Sequence, residues 1–161
     1  MLHLLRLYRL DAALISALSC AYGLRVGGCP WDAVALRAAL VSLVSFNFIY
    51  SLNAIADLEL DRVNKPARPL PAGRVSPVMA RAYTAALGAA ALVYPVAVAD
   101  TPLGLAALWA LPVLGWAYSA PPLRLRRVPL VSAPLVALMY VAPMLYGFVA
   151  CDGEPDAGAL S

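Results

Sequence analysis

The sequence predicts an all-α protein, a polytopic bundle of about five membrane-spanning helices, and three observations carry that prediction. Of its 161 residues, 63% are hydrophobic and only 13% charged, and the mean hydropathy is +0.78; a water-soluble domain of this size could not bury so much apolar surface. The apolar residues fall into five runs close to the roughly 20 residues that a helix needs to cross about 30 Å of hydrocarbon. The lysines and arginines gather in alternate connections between those runs, as they do in a chain that threads back and forth through a membrane.

The runs cover residues 11–26, 33–56, 78–99, 103–119 and 129–150. The first is short, and Arg25 near its end can snorkel to the interface. The third contains Gly88, Ala89 and Ala90, small residues that allow close helix packing. The fourth contains Pro112, which kinks a helix but is tolerated among packed neighbours. Residues 1–150 read as one helical membrane domain and residues 151–161 as a polar acidic tail with Asp152, Glu154 and Asp156.

Charge placement orients the bundle. Arg6 and Arg9 precede the first run, Arg62, Lys65, Arg68 and Arg74 fill the second connection, and Arg124, Arg126 and Arg127 fill the fourth. All three clusters lie on one side, which the positive-inside rule makes cytoplasmic. The alternate connections carry Arg25, Asp32 and Asp100, and the tail has no cation. The expectation is a multi-pass protein of the inner or plasma membrane with its N-terminus cytoplasmic and its C-terminus outside. The stretch ending at Cys20 faintly resembles a lipoprotein cleavage site, but Asp11 interrupts it and further helices follow, so a retained first helix is expected.

Residues 53–76 read NAIADLELDRVNKPARPLPAGRVS. An ionised aspartate at the centre of a bilayer costs roughly 2.5–3.5 kcal/mol, which makes carboxylates in such a chain functional candidates. A helix advances about 100° per residue, so Asn53, Asp57 and Asp61 share one face. Glu59 points to the far side, where Arg62 neutralises it, and it is left out of the site. Two stacked carboxylates and an amide oxygen suit Mg²⁺, a hard ion that binds through one or two carboxylates plus substrate phosphates. The cations that follow would grip the remaining phosphate oxygens. The plainer alternative is that the aspartates solvate a helix end and the cations only set topology; on charge alone it is the favoured one.

The fourth connection, YSAPPLRLRRVP, places a phenol and three guanidinium groups near the membrane surface. Pro121 and Pro122 are expected to stop the preceding helix and hold the chain extended. Its plainer alternative is an anchor for lipid headgroups. His3 is the single histidine, which excludes a histidine-based metal cluster. Cys20, Cys29 and Cys151 have no C-x-x-C spacing, so no zinc site or thioredoxin-like pair is supported; Cys29 and Cys151 share the predicted outer side and could pair, although two isolated cysteines are more often unpaired. No glycine-rich phosphate loop occurs, no nucleic-acid partner is expected, and the inverted repeats of a transporter are missing.

Together the two polar stretches, N-x-x-x-D-x-x-x-D-R-x-N-K-P-x-R-P-L-P-x-G over residues 53–73 and Y-S-x-P-P-x-R-L-R-R over residues 118–127, resemble the UbiA superfamily of intramembrane prenyltransferases. The family pattern has an aspartate where Ala54 stands. The resemblance implies a helical enzyme that uses Mg²⁺ to transfer an isoprenyl group from a prenyl diphosphate to an aromatic or lipid acceptor within the membrane. Asn53, Asp57 and Asp61 would hold the metal, with Asp57 and Asp61 catalytic. Lys65, Arg68, Tyr118, Arg124 and Arg126 would contact the diphosphate. The family carries a second aspartate motif in a latter half. Asp152 and Asp156 have its spacing, but Gly153 and Pro155 between them disfavour a helix. The chain is therefore expected to be the N-terminal half of the fold: a truncated or split product, one that pairs with another copy or a second polypeptide, or a silent scaffold or lipid-binding subunit.

Overall fold

Helices occupy all five apolar runs, with ends within one residue of the predicted ones. The computed structural model describes residues 10–29, 33–99 and 101–150. In chain order the elements are α1 (Leu10–Val26), α2 (Ala33–Ala56), α3 (Leu58–Asn64), α4 (Pro77–Val98), α5 (Pro102–Ser119), a single 3₁₀ turn (Leu125–Arg127) and α6 (Pro129–Val149). Proline starts three of the helices, at Pro77, Pro102 and Pro129, where its missing N–H costs nothing and its fixed φ suits the first turn. Ser76 Oγ accepts from the Met79 N–H at 3.1 Å, and Thr101 Oγ1 from the Gly104 N–H at 3.0 Å, each satisfying an otherwise orphaned donor.

The helices α2, α4, α5 and α6 are long and apolar enough to cross a membrane. The helix α1, at 17 residues, is about 26 Å long at 1.5 Å per residue, so by length it falls short of a full span. Around the bundle α1 packs on α6 and α2, α2 on α5, and α5 on α6; α4 lies outside this ring against α2 and α5. Buried side chains from all these helices fill it in two layers. One is built around Leu24, Val41, Leu108 and Tyr146, the other around Phe46, Ile49, Leu111 and Met139. Large apolar side chains such as Leu130, Val78 and Val93 face outward, as the lipid side of a membrane helix requires.

Glycine sets the approach of α1 to α6. A Cβ on Gly23 would stand 2.0 Å from the Met144 carbonyl oxygen, and one on Gly147 would stand 2.3 Å from the Cys20 carbonyl oxygen. Backbones that meet this closely need the smallest residue on both sides. Within the predicted small-residue stretch, Gly88 is buried, with Phe48 carbons where its Cβ would be, but Ala89 and Ala90 are exposed, and Ala91 supplies the next buried contact.

One local expectation is corrected and one choice is decided. The segment after Pro121 is not extended: Arg124 donates its N–H to the Ala120 carbonyl and Arg127 to that of Arg124, both at 3.0 Å, folding the connection into tight turns. Cys20 is free and buried, whereas Cys29 is disulfide-bonded and not unpaired. His3, Arg6, Arg9, Asp32, Asp100, Cys151, Asp152, Glu154 and Asp156 lie outside the described residues.

Replacing Gly23 by valine should force α1 and α6 apart. The cost expected for overpacking is about 1–3 kcal/mol, so thermal unfolding in detergent should drop by roughly 3–10 °C, with a smaller drop for Gly73→Ala, where nothing lies within 4 Å of a new Cβ.

Candidate functional site

The polar stripe survives a break in the helix that carries it. Asp57 separates α2 from α3 with φ −102° and ψ 5°, yet the Asp57 N–H reaches the Asn53 carbonyl at 3.0 Å, Asp61 reaches Asp57 at 2.7 Å and Lys65 reaches Asp61 at 2.8 Å. That continuous i to i−4 ladder keeps Asn53, Asp57 and Asp61 in helical register.

Two cationic segments close on the stripe from opposite sides of the sequence. The loop after α3 folds back through hydrogen bonds from Ala72 N–H to Arg68 O and from Arg74 N–H to Pro69 O, both 2.9 Å. Gly73 supplies the positive φ of 71° that its turn requires. Leu70 and Val75 bury themselves with Ala80 against Ile55 and Leu58, which pins the loop to the end of α2. Arg68 Nη1 thereby lies 2.6 Å from Asp61 Oδ2, and Lys65 Nζ lies 3.9 Å from Oδ1.

The second segment is the connection between α5 and α6. Arg124 adopts the left-handed conformation, φ 41° and ψ 48°, and the 3₁₀ turn behind it presents Arg126 to the end of α2. Both terminal nitrogens of Arg126 donate to the Asp57 carboxylate, and Nη1 also donates to Asn53 Oδ1 at 2.5 Å. Both side chains are largely buried, at 15% and 18% exposure, where a bidentate ion pair keeps more of its strength than at an open surface. Glu59 accepts from Arg62 at 2.8 Å, as the sequence predicts.

Beside this pair lies a cavity of about 540 Å³ lined by Asp57, Tyr118, Arg124, Arg126 and Arg127. Of the residues singled out from sequence, the structure thus gathers Asn53, Asp57, Tyr118, Arg124 and Arg126. It collects Asp61, Lys65 and Arg68 into a neighbouring ion cluster that does not line the cavity. Three of the cations expected to face a diphosphate are instead held by carboxylates: Arg126 by Asp57, and Arg68 and Lys65 by Asp61. Among the described residues no three His, Cys, Asp or Glu side chains form a metal-ready group. Arg127, left out of the diphosphate set although it belongs to the same RLRR run as Arg124 and Arg126, lines the cavity with them.

The profile of the UbiA prenyltransferase family matches residues 13–161. The chain belongs to the UbiA prenyltransferase family. The chain is 33% identical to the digeranylgeranylglyceryl phosphate synthase of Methanopyrus kandleri over 146 residues, covering 91% of this chain and 51% of that protein. The synthase of the same name from Sulfolobus acidocaldarius is 32% identical over 71% of this chain and 40% of its own length. Coumarin 8-geranyltransferase 1 of Citrus limon is 33% identical over 65% of this chain and 26% of its own length. A solved structure from a study of digeranylgeranylglyceryl phosphate synthase in membranes superposes with a TM-score of 0.83 at 21% identity, over 98% of this chain and 55% of that one. This UbiA-family chain therefore spans about half, or less, of the length of those relatives.

Removing one member of the Arg126–Asp57 pair leaves the other charge poorly compensated, a loss expected to be about 1–3 kcal/mol for a partly buried pair. Unfolding of Arg126→Gln, Asp57→Asn and the double variant in detergent should show strong coupling, the double variant losing clearly less than the sum of the single losses.

Proposed function

We propose that this UbiA-family chain carries the diphosphate-binding part of a prenyltransferase, which moves an isoprenyl group from a prenyl diphosphate to an aromatic or lipid acceptor inside the membrane. The observation that supports this most directly is the convergence of Asn53 Oδ1 and the Asp57 carboxylate on one cation, at the wall of a cavity that also holds Tyr118, Arg124 and Arg127. The names of the relatives, which include a lipid phosphate synthase and a coumarin geranyltransferase, span the two acceptor types.

The donor set fits Mg²⁺, because every oxygen on the stripe is a hard carboxylate or amide ligand and the number of carboxylates matches an ion that relies on substrate phosphates for the rest. Asn53, Asp57 and Asp61 would hold it, and it would neutralise charge on the departing diphosphate. The side chains of the protein do the remaining work. Arg124 and Arg127 offer forked donors to phosphate oxygens, and Tyr118 offers a phenol at the same wall. Arg126, held by Asp57, and Arg68 and Lys65, held by Asp61, would turn to phosphate oxygens when the diphosphate binds. Developing negative charge then meets donors already in place. Apolar helix walls exclude water from the prenyl chain, which protects a carbocation-like centre from quenching.

Binding of a labelled prenyl diphosphate with Mg²⁺ to the chain in lipid should weaken at least several-fold in Asp57→Asn; unchanged binding would favour a silent scaffold or lipid-binding subunit. The Arg62 to Arg74 cluster supports a cytoplasmic position for the site end. Accordingly, Arg74→Cys in sealed right-side-out vesicles should react with a membrane-impermeant maleimide only after permeabilisation.

A further inference from the structure

The second cavity at the Asp57 end, about 410 Å³, shares Glu59 and Arg124 with the first and reaches Arg81. A group that the transfer reading leaves unused stands at the other end of the bundle. There α2 begins at Ala33, shortly after Cys29, and it ends at Ala56 beside Asp57. Its 24 residues measure about 36 Å at 1.5 Å each, so Cys29 and the Asp57 cavity lie a bilayer's thickness apart.

Cys29 is held in place by the way α1 ends. The Cys29 N–H donates to the Leu24 carbonyl at 2.9 Å and the Gly28 N–H to that of Arg25 at 3.3 Å, while Gly28 takes a positive φ of 75°. Those are the two bonds and the left-handed residue of a Schellman ending, which turns the chain back and packs the residue after the glycine against the last helical turn. Cys29 accordingly sits in one cluster with Leu24, Val98 and Tyr146, at 5% exposure. The helix α6 passes directly alongside. A Cβ on Gly27 would stand 2.5 Å from the Phe148 carbonyl oxygen, and Cys29 Sγ lies 3.9 Å from the carbonyl oxygen of Gly147.

The sulfur of Cys29 is disulfide-bonded. The chain has three cysteines, and Cys20, buried in the middle of α1, is free. The remaining thiol belongs to Cys151, which lies outside the described residues and follows the end of α6 closely in sequence. We propose that Cys29 and Cys151 form a permanent cross-link that locks the α1–α6 seam, and that this end of the bundle stands in an oxidising compartment, across the membrane from the Asp57 cavity. Disulfides persist outside the cytosol and are rare within it. Joining the two thiols removes two protons and two electrons, which pass by thiol–disulfide exchange to a protein disulfide of that compartment, released as a dithiol. The link closes most of the chain into one loop, the case in which a disulfide restricts the unfolded state most. Burial of Cys29 shields the bond from reductants, so it is a fixture of the fold and not a switch. This assignment of sides comes from sulfur chemistry, independently of where the arginines lie, and stands whether or not the chain transfers prenyl groups.

The test takes the full chain from the inner membrane of a bacterial host, lysed in denaturant with a maleimide, and counts labels by intact mass. One label is expected without reductant, on Cys20, and three after reduction. Trypsin without reductant should release residues 26–37 joined to residues 128–161, and Cys20→Ser should leave that pair intact. In a host lacking its periplasmic thiol oxidase, the unreduced protein should carry three labels. Thermal unfolding in detergent should fall by about 5–15 °C on reduction. Cys29→Ser, Cys151→Ser and the double variant should all match the reduced protein, because each loses the same bond. Three labels without reductant in the ordinary host, a link through Cys20, or additive losses in the two single variants would overturn the cross-link. Equal bond formation in the oxidase-deficient host would overturn the assignment of sides.

Discussion

The grip of Arg126 on Asp57 and Asn53 is the constraint from which the rest of this end of the molecule follows. Seventy-three residues separate Arg126 from Asn53, and a bidentate ion pair with little exposure tolerates almost no misplacement of either partner. For the bond to form, α2 and α5 must lie side by side, the chain must turn sharply at Ala120, and the 3₁₀ turn must face inward. Arg124 carries the local strain of that turn, in a conformation that also sets its own side chain between two cavities.

The charge inventory around the bridge explains why this end should receive anions. Each described carboxylate here already has a cation: Asp57 has Arg126, Asp61 has Arg68 and Lys65, and Glu59 has Arg62. Arg124, Arg127 and Arg81 remain in addition, all lining cavities. A cluster of this kind is balanced internally for its acids and left with a positive surplus in partly dehydrated surroundings, where an anion is held more strongly than in bulk water. The helix ends thus provide both a set of oxygen donors masked by cations and a set of free guanidinium groups.

Away from that end the bundle relies on shape more than on polarity. Carbonyl oxygens of one helix occupy the places of absent glycine side chains on another, which brings α1 and α6 together without any apolar driving force that lipid would not equally supply. Tyr146, almost fully buried, donates from its hydroxyl to the Val98 carbonyl at 3.3 Å and links α6 to the end of α4. Trp109 does the same at the periphery, donating to the Leu92 carbonyl at 2.9 Å. Four interior prolines, Pro95, Pro112, Pro134 and Pro143, sit inside helices; three of them, Pro95, Pro112 and Pro143, are buried against neighbours, in keeping with the tolerance of packed membrane helices for lost backbone bonds.

The sequence by itself determined the helices, their ends, the family and the members of the polar stripe, because hydropathy, proline placement and i to i+4 spacing are local properties. It also foresaw that Arg62 would hold Glu59, a pair three residues apart. Only the tertiary structure decided which cations the carboxylates hold. Arg126 belongs to Asp57 and Arg68 to Asp61 through contacts that depend on how α5 and the loop after α3 fold back, and no spacing along the chain encodes that. The turn after Pro121 was misread as extended for the same reason: its hydrogen bonds and the left-handed Arg124 are selected by the bridge they serve.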